Sequence, residues 1–102
     1  MGTRLFPERK VKLFLDALIK REHIPVSTIE RTEKNERMIL IAGKTVFFSE
    51  RHGKGFESGI KEPYLKNIIN AAAEAKYGLP GTPQYDAGRK AIKKLARETV
   101  GY

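Results

Sequence analysis

Residues 37–50 read RMILIAGKTVFFSE, and the fold follows from how this stretch pairs with itself. Two apolar runs, Met38 to Ala42 and Thr45 to Phe48, flank the dipeptide Gly43-Lys44. Glycine at the first central position of a two-residue loop accepts positive φ without a Cβ clash, which is the requirement of a type II′ turn. That turn predicts the pairs Ala42 with Thr45, Leu40 with Phe47, Ile39 with Phe48 and Arg37 with Glu50, the last placing opposite charges across the open end. Ile39, Ile41, Val46 and Phe48 then share one face and Leu40 and Phe47 the other. A hairpin apolar on both faces is expected inside a domain rather than wet on one side.

Working outward, residues 8–22 carry Val11, Phe14, Leu15, Leu18 and Ile19 at helical spacing, with Pro7 tolerated at the start and Pro25 ending the segment. VSTIERT at 26–32 is β-branched enough for a strand, and 33–36 reads as a polar turn. A three-stranded antiparallel meander follows. After Glu50 the segment RHGKGFESGIKEP has three glycines and no periodicity, the composition of a loop. A second helix is expected from Pro63 to Ala75 or Tyr77, with Leu65, Ile68, Ile69, Ala72 and Ala73 buried, Gly78 as its cap and Pro80 as its stop. Thr82-Pro83 is an N-cap and first-turn pair that starts a third helix, running to about Thr99. Its apolar side is narrow: Ala87, Ala91, Ile92, Leu95 and Val100. Gly88 within it costs about 1 kcal/mol against alanine unless a helix crosses closely there.

These elements make an α+β fold: an α-β-β-β-α core at about 8–78 with a three-stranded antiparallel sheet, and an extra basic C-terminal helix at about 82–99. The first two helices are expected on one face of the sheet, the third at an edge or over the other face. A chain of 102 residues is one domain. It has no cysteine, so disulfides and thiolate metal sites are excluded and a cytoplasmic setting is expected. The opening MGTRLFPERK is broken by Pro7 and charges, so no signal peptide is expected, and no apolar run is long enough to span a membrane.

Charge is the strongest compositional signal. Twenty Lys and Arg against twelve Asp and Glu give a net charge of +8, with a pI near 9.9. Such a balance favours polyanionic partners, nucleic acid first and an acidic protein surface second. Residues 24–50 balance at four and four, whereas 1–23, 51–66 and 86–102 carry the surplus. Two clusters stand out. In Arg51-His52-Gly53-Lys54-Gly55, glycines flanking a lysine let backbone N–H groups and an ammonium approach a phosphate together, without the spacing of a nucleotide-binding loop. A solvated turn fits the same glycines. On the third helix Lys90, Lys93, Lys94 and Arg97 share one face with Arg89 at its margin, either a solvated face or one laid along a phosphate backbone. Lys61 and Lys66 lie between the two clusters.

Catalytic signals are weak. His52 is the single histidine in a loop that suits a site, and a general acid–base role in RNA cleavage is the alternative to a surface side chain. His23 reads as a helix-end residue. No metal, cofactor or nucleophilic serine motif is expected. Phe47 with Leu40 is expected to pack against the third helix or to stack bases.

The residues Arg9 to Arg21, then Arg51-His52-Gly53-Lys54, Gly59-Ile60 and Leu65-Lys66-Asn67-Ile68-Ile69 look like the opening helix, sheet end and following helix of HicA-type toxins. The order helix, three strands, helix is similar to that of the double-stranded RNA-binding domain on which they are built. The resemblance covers residues 9–77 and implies RNA as the partner, with Lys61 and Lys66 facing phosphates. HicA toxins carry a Gly-Ser-His signature opening their second strand, and this chain has Asn35-Glu36-Arg37 there. The resemblance therefore implies a binder or a catalytically divergent relative. The expected function is phosphate-directed binding of RNA or duplex DNA without catalysis, through Arg51, Lys54, Lys61, Lys66, Arg89, Lys90, Lys93, Lys94 and Arg97. The alternatives are a phage- or plasmid-type inhibitor docking an acidic protein, with a homodimer through the hairpin, and a ribonuclease using His52.

Overall fold

The computed structural model describes residues 4–31, 36–50 and 59–102, with the side chains of residues 30, 31, 36 and 48–50 outside the description. The order is β1 (Leu5–Pro7), α1 (Glu8–Lys20), β2 (Val26–Arg31), β3 (Glu36–Ile41), β4 (Lys44–Glu50), β5 (Gly59–Lys61), α2 (Glu62–Tyr77) and α3 (Pro83–Val100). The antiparallel sheet β2-β3-β4 and all three helices are as the sequence leads one to expect, and the fold is α+β.

The hairpin differs in register. Its turn is Ala42-Gly43, both left-handed at φ 50° and 83°, the type I′ pattern rather than type II′. Ile41 therefore pairs with Lys44, Leu40 with Thr45, Ile39 with Phe47, Met38 with Phe48 and Arg37 with Ser49. The register shifts between Ile39 and Leu40, which leaves Val46 as the extra residue of a β-bulge. Beyond the bulge the strand's alternation is reversed, so Phe47 joins Ile39 and Ile41 on the buried face and does not partner Leu40. Its ring meets Tyr64 of α2 edge-on, with centroids 5.1 Å apart, and so packs on the second helix, not the third.

Helices cover one face of the sheet. Arg37, Ile39, Ile41 and Phe47 point into that layer, whereas Met38 and Leu40 on the other face are half-buried and Ser27, Ile29 and Thr45 are exposed. The hairpin is thus covered by helices on one side alone. α3 packs principally on α2 and α1 as an outer layer, so it sits neither at a sheet edge nor over the second face. The core joins Phe14 and Leu18 of α1, Leu65, Ile68, Ile69 and Ala72 of α2, and Ile92 and Ala96 of α3, all essentially without solvent access.

One element pair has no clear sequence signal. β1 and β5, three residues each, pair antiparallel as Leu5 with Lys61, Phe6 with Ile60 and Pro7 with Gly59. They bring the chain's opening against the start of α2, where the Glu62 N–H donates to the Arg4 carbonyl at 2.9 Å. The Arg4 guanidinium donates to the Gly101 carbonyl at 2.6 Å, and Phe6 lies against Tyr102 with centroids 5.9 Å apart. The start of α2 and the end of α3 therefore meet at one end of the molecule. At the other end the Tyr77 ring fills the space a Cβ on Gly88 would occupy. The two helices run antiparallel, and the close crossing explains a glycine inside α3.

Candidate nucleic-acid interface

α3 starts where Thr82-Pro83 place it: the Thr82 hydroxyl accepts the Tyr85 N–H at 3.2 Å, and Pro83 stands in the first turn. Tyr85, Gly88, Ile92, Leu95, Ala96 and Val100 are buried against α1 and α2. The rest of the helix faces solvent by its 3.6-residue period. Lys90, Lys94 and Arg97 are exposed and Lys93 is half-buried at the margin of the same face, as the spacing predicts.

Arg89 lies on the margin facing α2. Its Nε donates to the Asn70 amide oxygen at 2.6 Å, and the side chain is partly buried. It is a cross-helix tie before it is a phosphate ligand. The close crossing of Tyr77 on Gly88 fixes the register of the two helices. In an antiparallel pair, one turn back along α2 faces one turn forward along α3. From Tyr77 and Gly88 that step leads through Ala73 and Ile92 to Lys66 beside the last turns of α3, near Arg97. Lys66 and Arg97 thus flank one seam, with Lys93 a turn back along α3 and Lys90 beside Lys93. Lys66 is exposed on this α3-facing side of α2.

Like charges held this close repel, by a few tenths of a kcal/mol per pair, unless an anion sits between them. Several carboxylates elsewhere are paired. Glu98 reaches Arg21 at 3.5 Å across the α1 side of α3, Glu74 reaches Lys44 at 3.8 Å, and Glu22 accepts from Lys76 at 2.9 Å. Among the described residues none of these acids engages Lys66, Lys90, Lys93, Lys94 or Arg97. Asp86, in the first turn of α3 and four residues before Lys90, makes no ion pair with them.

The remaining expected residues lie elsewhere. Lys61 is exposed at the N-cap of α2, at the end of the molecule where α3 finishes. Arg51, His52 and Lys54 lie outside the described residues. His23 is exposed just beyond α1 with a left-handed φ of 58°, and next to it Glu22 makes the best-formed polar cluster among the described residues. The Glu22 carboxylate accepts from the Lys76 ammonium and from the Tyr77 hydroxyl, each at 2.9 Å. The hydrogen bond from Lys76 is the main force holding Glu22 below its ordinary value, against partial burial. Burial first, and then the bond to Glu22, raise Tyr77. This cluster ties the end of α1 to the end of α2 and opens on no catalytic arrangement. No group of three or more metal-binding side chains occurs among the described residues, and no helix among them is long and apolar enough to cross a membrane.

Two features escape a reading of the sequence. The placement of Lys66 beside the last turns of α3 depends on helix docking. Arg37, at a strand position where a polar residue usually points to solvent, is instead buried and paired with Glu8 of α1. The comparisons with known proteins add no relative: no family model, no curated protein and no solved structure matches the chain.

Proposed function

We propose that the protein binds nucleic acid, RNA or duplex DNA, through phosphates laid along the seam of α2 and α3. The supporting observation is the convergence of Lys66, Lys90, Lys93, Lys94 and Arg97 on one surface without a carboxylate partner among the described residues. The net charge of +8 points the same way. Phosphate oxygens neutralise such a row without base-specific contacts. Binding is therefore expected to be nearly sequence-independent.

The test is fluorescence anisotropy with short single- and double-stranded RNA and DNA, titrated over salt. Four phosphate contacts give a log–log slope near −3.6, an affinity loss on the order of 100-fold between about 50 and 200 mM salt. Replacing Lys93, Lys94 and Arg97 together by alanine should flatten that slope by about three contacts' worth and leave the fold intact, because none of the three makes a side-chain bond among the described residues. Unchanged affinity in the triple variant rejects the seam as the site. No binding at the lowest salt rejects nucleic acid as the partner.

A further inference from the structure

On the side of the molecule away from α3, α1 and the sheet do not close. A groove of about 490 Å³ runs between the flank of α1 and the inner face of β2 and β3. Val11, Leu15, Val26, Ile39 and Ile60 form its apolar floor, and the Arg37–Glu8 ion pair lies within it. Arg9, Lys12 and Asp16 form the polar rim on α1.

We propose that this groove docks an extended segment of a protein partner, apolar at alternating positions and acidic at a flank, which adds to the free edge of β2. Three observations choose that occupant. First, β2 is an edge strand of the sheet β2-β3-β4, so alternate residues along it turn N–H and C=O groups away from β3 with no strand beside them among the described residues. Ser27, Thr28 and Ile29 are all exposed. An added strand satisfies those groups and sends every second side chain under α1, the pattern of peptide recognition by strand addition. Second, Ile19 on the α1 flank is 43% exposed and Ile29 on the strand 38%. A strand at this edge covers both, one from each of its faces.

Third, charge separates the possible occupants. Arg9 and Lys12 are exposed at the rim and engaged by no carboxylate among the described residues, which suits acidic groups flanking the apolar positions. A second copy of this chain brings the same two cations and its own +8 to the contact. A nucleic-acid strand has no apolar side chains for the floor, and the seam of α2 and α3 on the opposite flank of the helical layer offers it a better surface. Peptide docking therefore leaves the phosphate surface open.

The experiment is selection of a random heptapeptide library displayed on phage against the full chain, with the Ile19→Glu variant as the counter-target. Ile19 lies outside the core, and circular dichroism checks that the variant folds. If it does not, Thr28→Trp, which fills the groove from an exposed strand position, takes its place. The expected result is a family of peptides with apolar residues at every second position and Asp or Glu at one end. Synthesised, such a peptide should bind about tenfold or more weakly to the groove variant, and its binding should slow amide exchange in 26–31. Duplex binding at the other surface should not change in Ile19→Glu, so the two readings fail separately. The proposal is overturned if no peptide family is enriched over the counter-target, if enriched peptides lack alternation or are basic, if bound peptide leaves 26–31 unprotected, or if the protein alone already protects that edge as a dimer.

Discussion

The helical layer is closed on one side and open on the other, and the two sides are built from different residue sizes. Between α2 and α3, Ala72, Ala73, Gly88 and Ala96 let the backbones approach until the Tyr77 ring occupies the place of a missing Cβ. Between α1 and β2 the facing residues are large, Leu15, Ile19, Val26 and Ile39, yet they leave a groove, and an ion pair stands where apolar contact would otherwise close it. Small residues bring two helices together and push their cations outward into a row. Large residues around a part-buried ion pair leave a groove between the helix and the sheet. The lesson is that the tight side presents charge, the loose side presents apolar surface, and the two select partners of different chemistry.

The most severe test of that contrast uses one residue type on both sides. Ile69, 1% exposed in α2, should cost about 3 kcal/mol when replaced by alanine, through lost burial and the cavity left behind. Ile19→Ala on the open side should cost less than about 1 kcal/mol, as surface changes do. Urea unfolding measures both, and equal costs would mean that the groove is closed in solution.

A smaller effect sharpens the account of the tight side. Gly88→Ala gains helix propensity of about 1 kcal/mol, but its methyl must displace the Tyr77 ring near its root, so the net change should be a loss of about 1 kcal/mol. Combined with Tyr77→Ala, which removes the ring but keeps the Cβ 2.7 Å away, the same glycine substitution should cost less than it does alone. A double-mutant cycle reads that coupling directly, and strict additivity would show that the ring does not set the crossing.

Next in size is the pin between α1 and α2. Glu22 is held below its ordinary value of 4.5, chiefly by the hydrogen bond from Lys76, so its contribution is complete above that value and fades as pH falls through the lower folded-state value. Thermal unfolding of Glu22→Gln against the parent should show the variant less stable near neutrality and the difference shrinking below about pH 4. A difference constant down to strong acid would sink the assignment.

How much of this was legible from residues depended on range. Helix boundaries are local: Pro7, Gly78 and Thr82-Pro83 mark them within a residue or two, Pro25 and Pro80 follow within five, and the spacing of Lys90, Lys93, Lys94 and Arg97 places them on one face whatever surrounds them. β1 and β5 were not legible, because three-residue strands carry no periodicity and their partner lies more than fifty residues away, as Phe6 with Ile60 shows. Lys66 beside the end of α3 needs the antiparallel docking of two helices, and the engagement of Arg89 needs Asn70. The groove needs the sparse packing of α1 on β2, which no pattern in either element encodes.

The hairpin lies between these extremes, and its turn offers the finest test. A dipeptide with one glycine allows two registers, and GK as the loop was a reasonable choice until Val46 is seen to bulge. In the observed register Ala42 carries φ 50° without a side chain suited to it, and its N–H donates to the Pro25 carbonyl at 2.9 Å, anchoring the start of the open-edge strand to the tip of the hairpin. Asn-Gly is the preferred type I′ pair, because asparagine tolerates the left-handed region better than alanine. Ala42→Asn should therefore stabilise the protein by about 0.5 kcal/mol, a rise of roughly 2–4 °C in Tm. In the type II′ register Ala42 is the last strand residue before the turn, where asparagine is disfavoured and the same substitution would lower Tm. The sign alone decides the register, and with it whether Phe47 belongs to the closed core or to the open face.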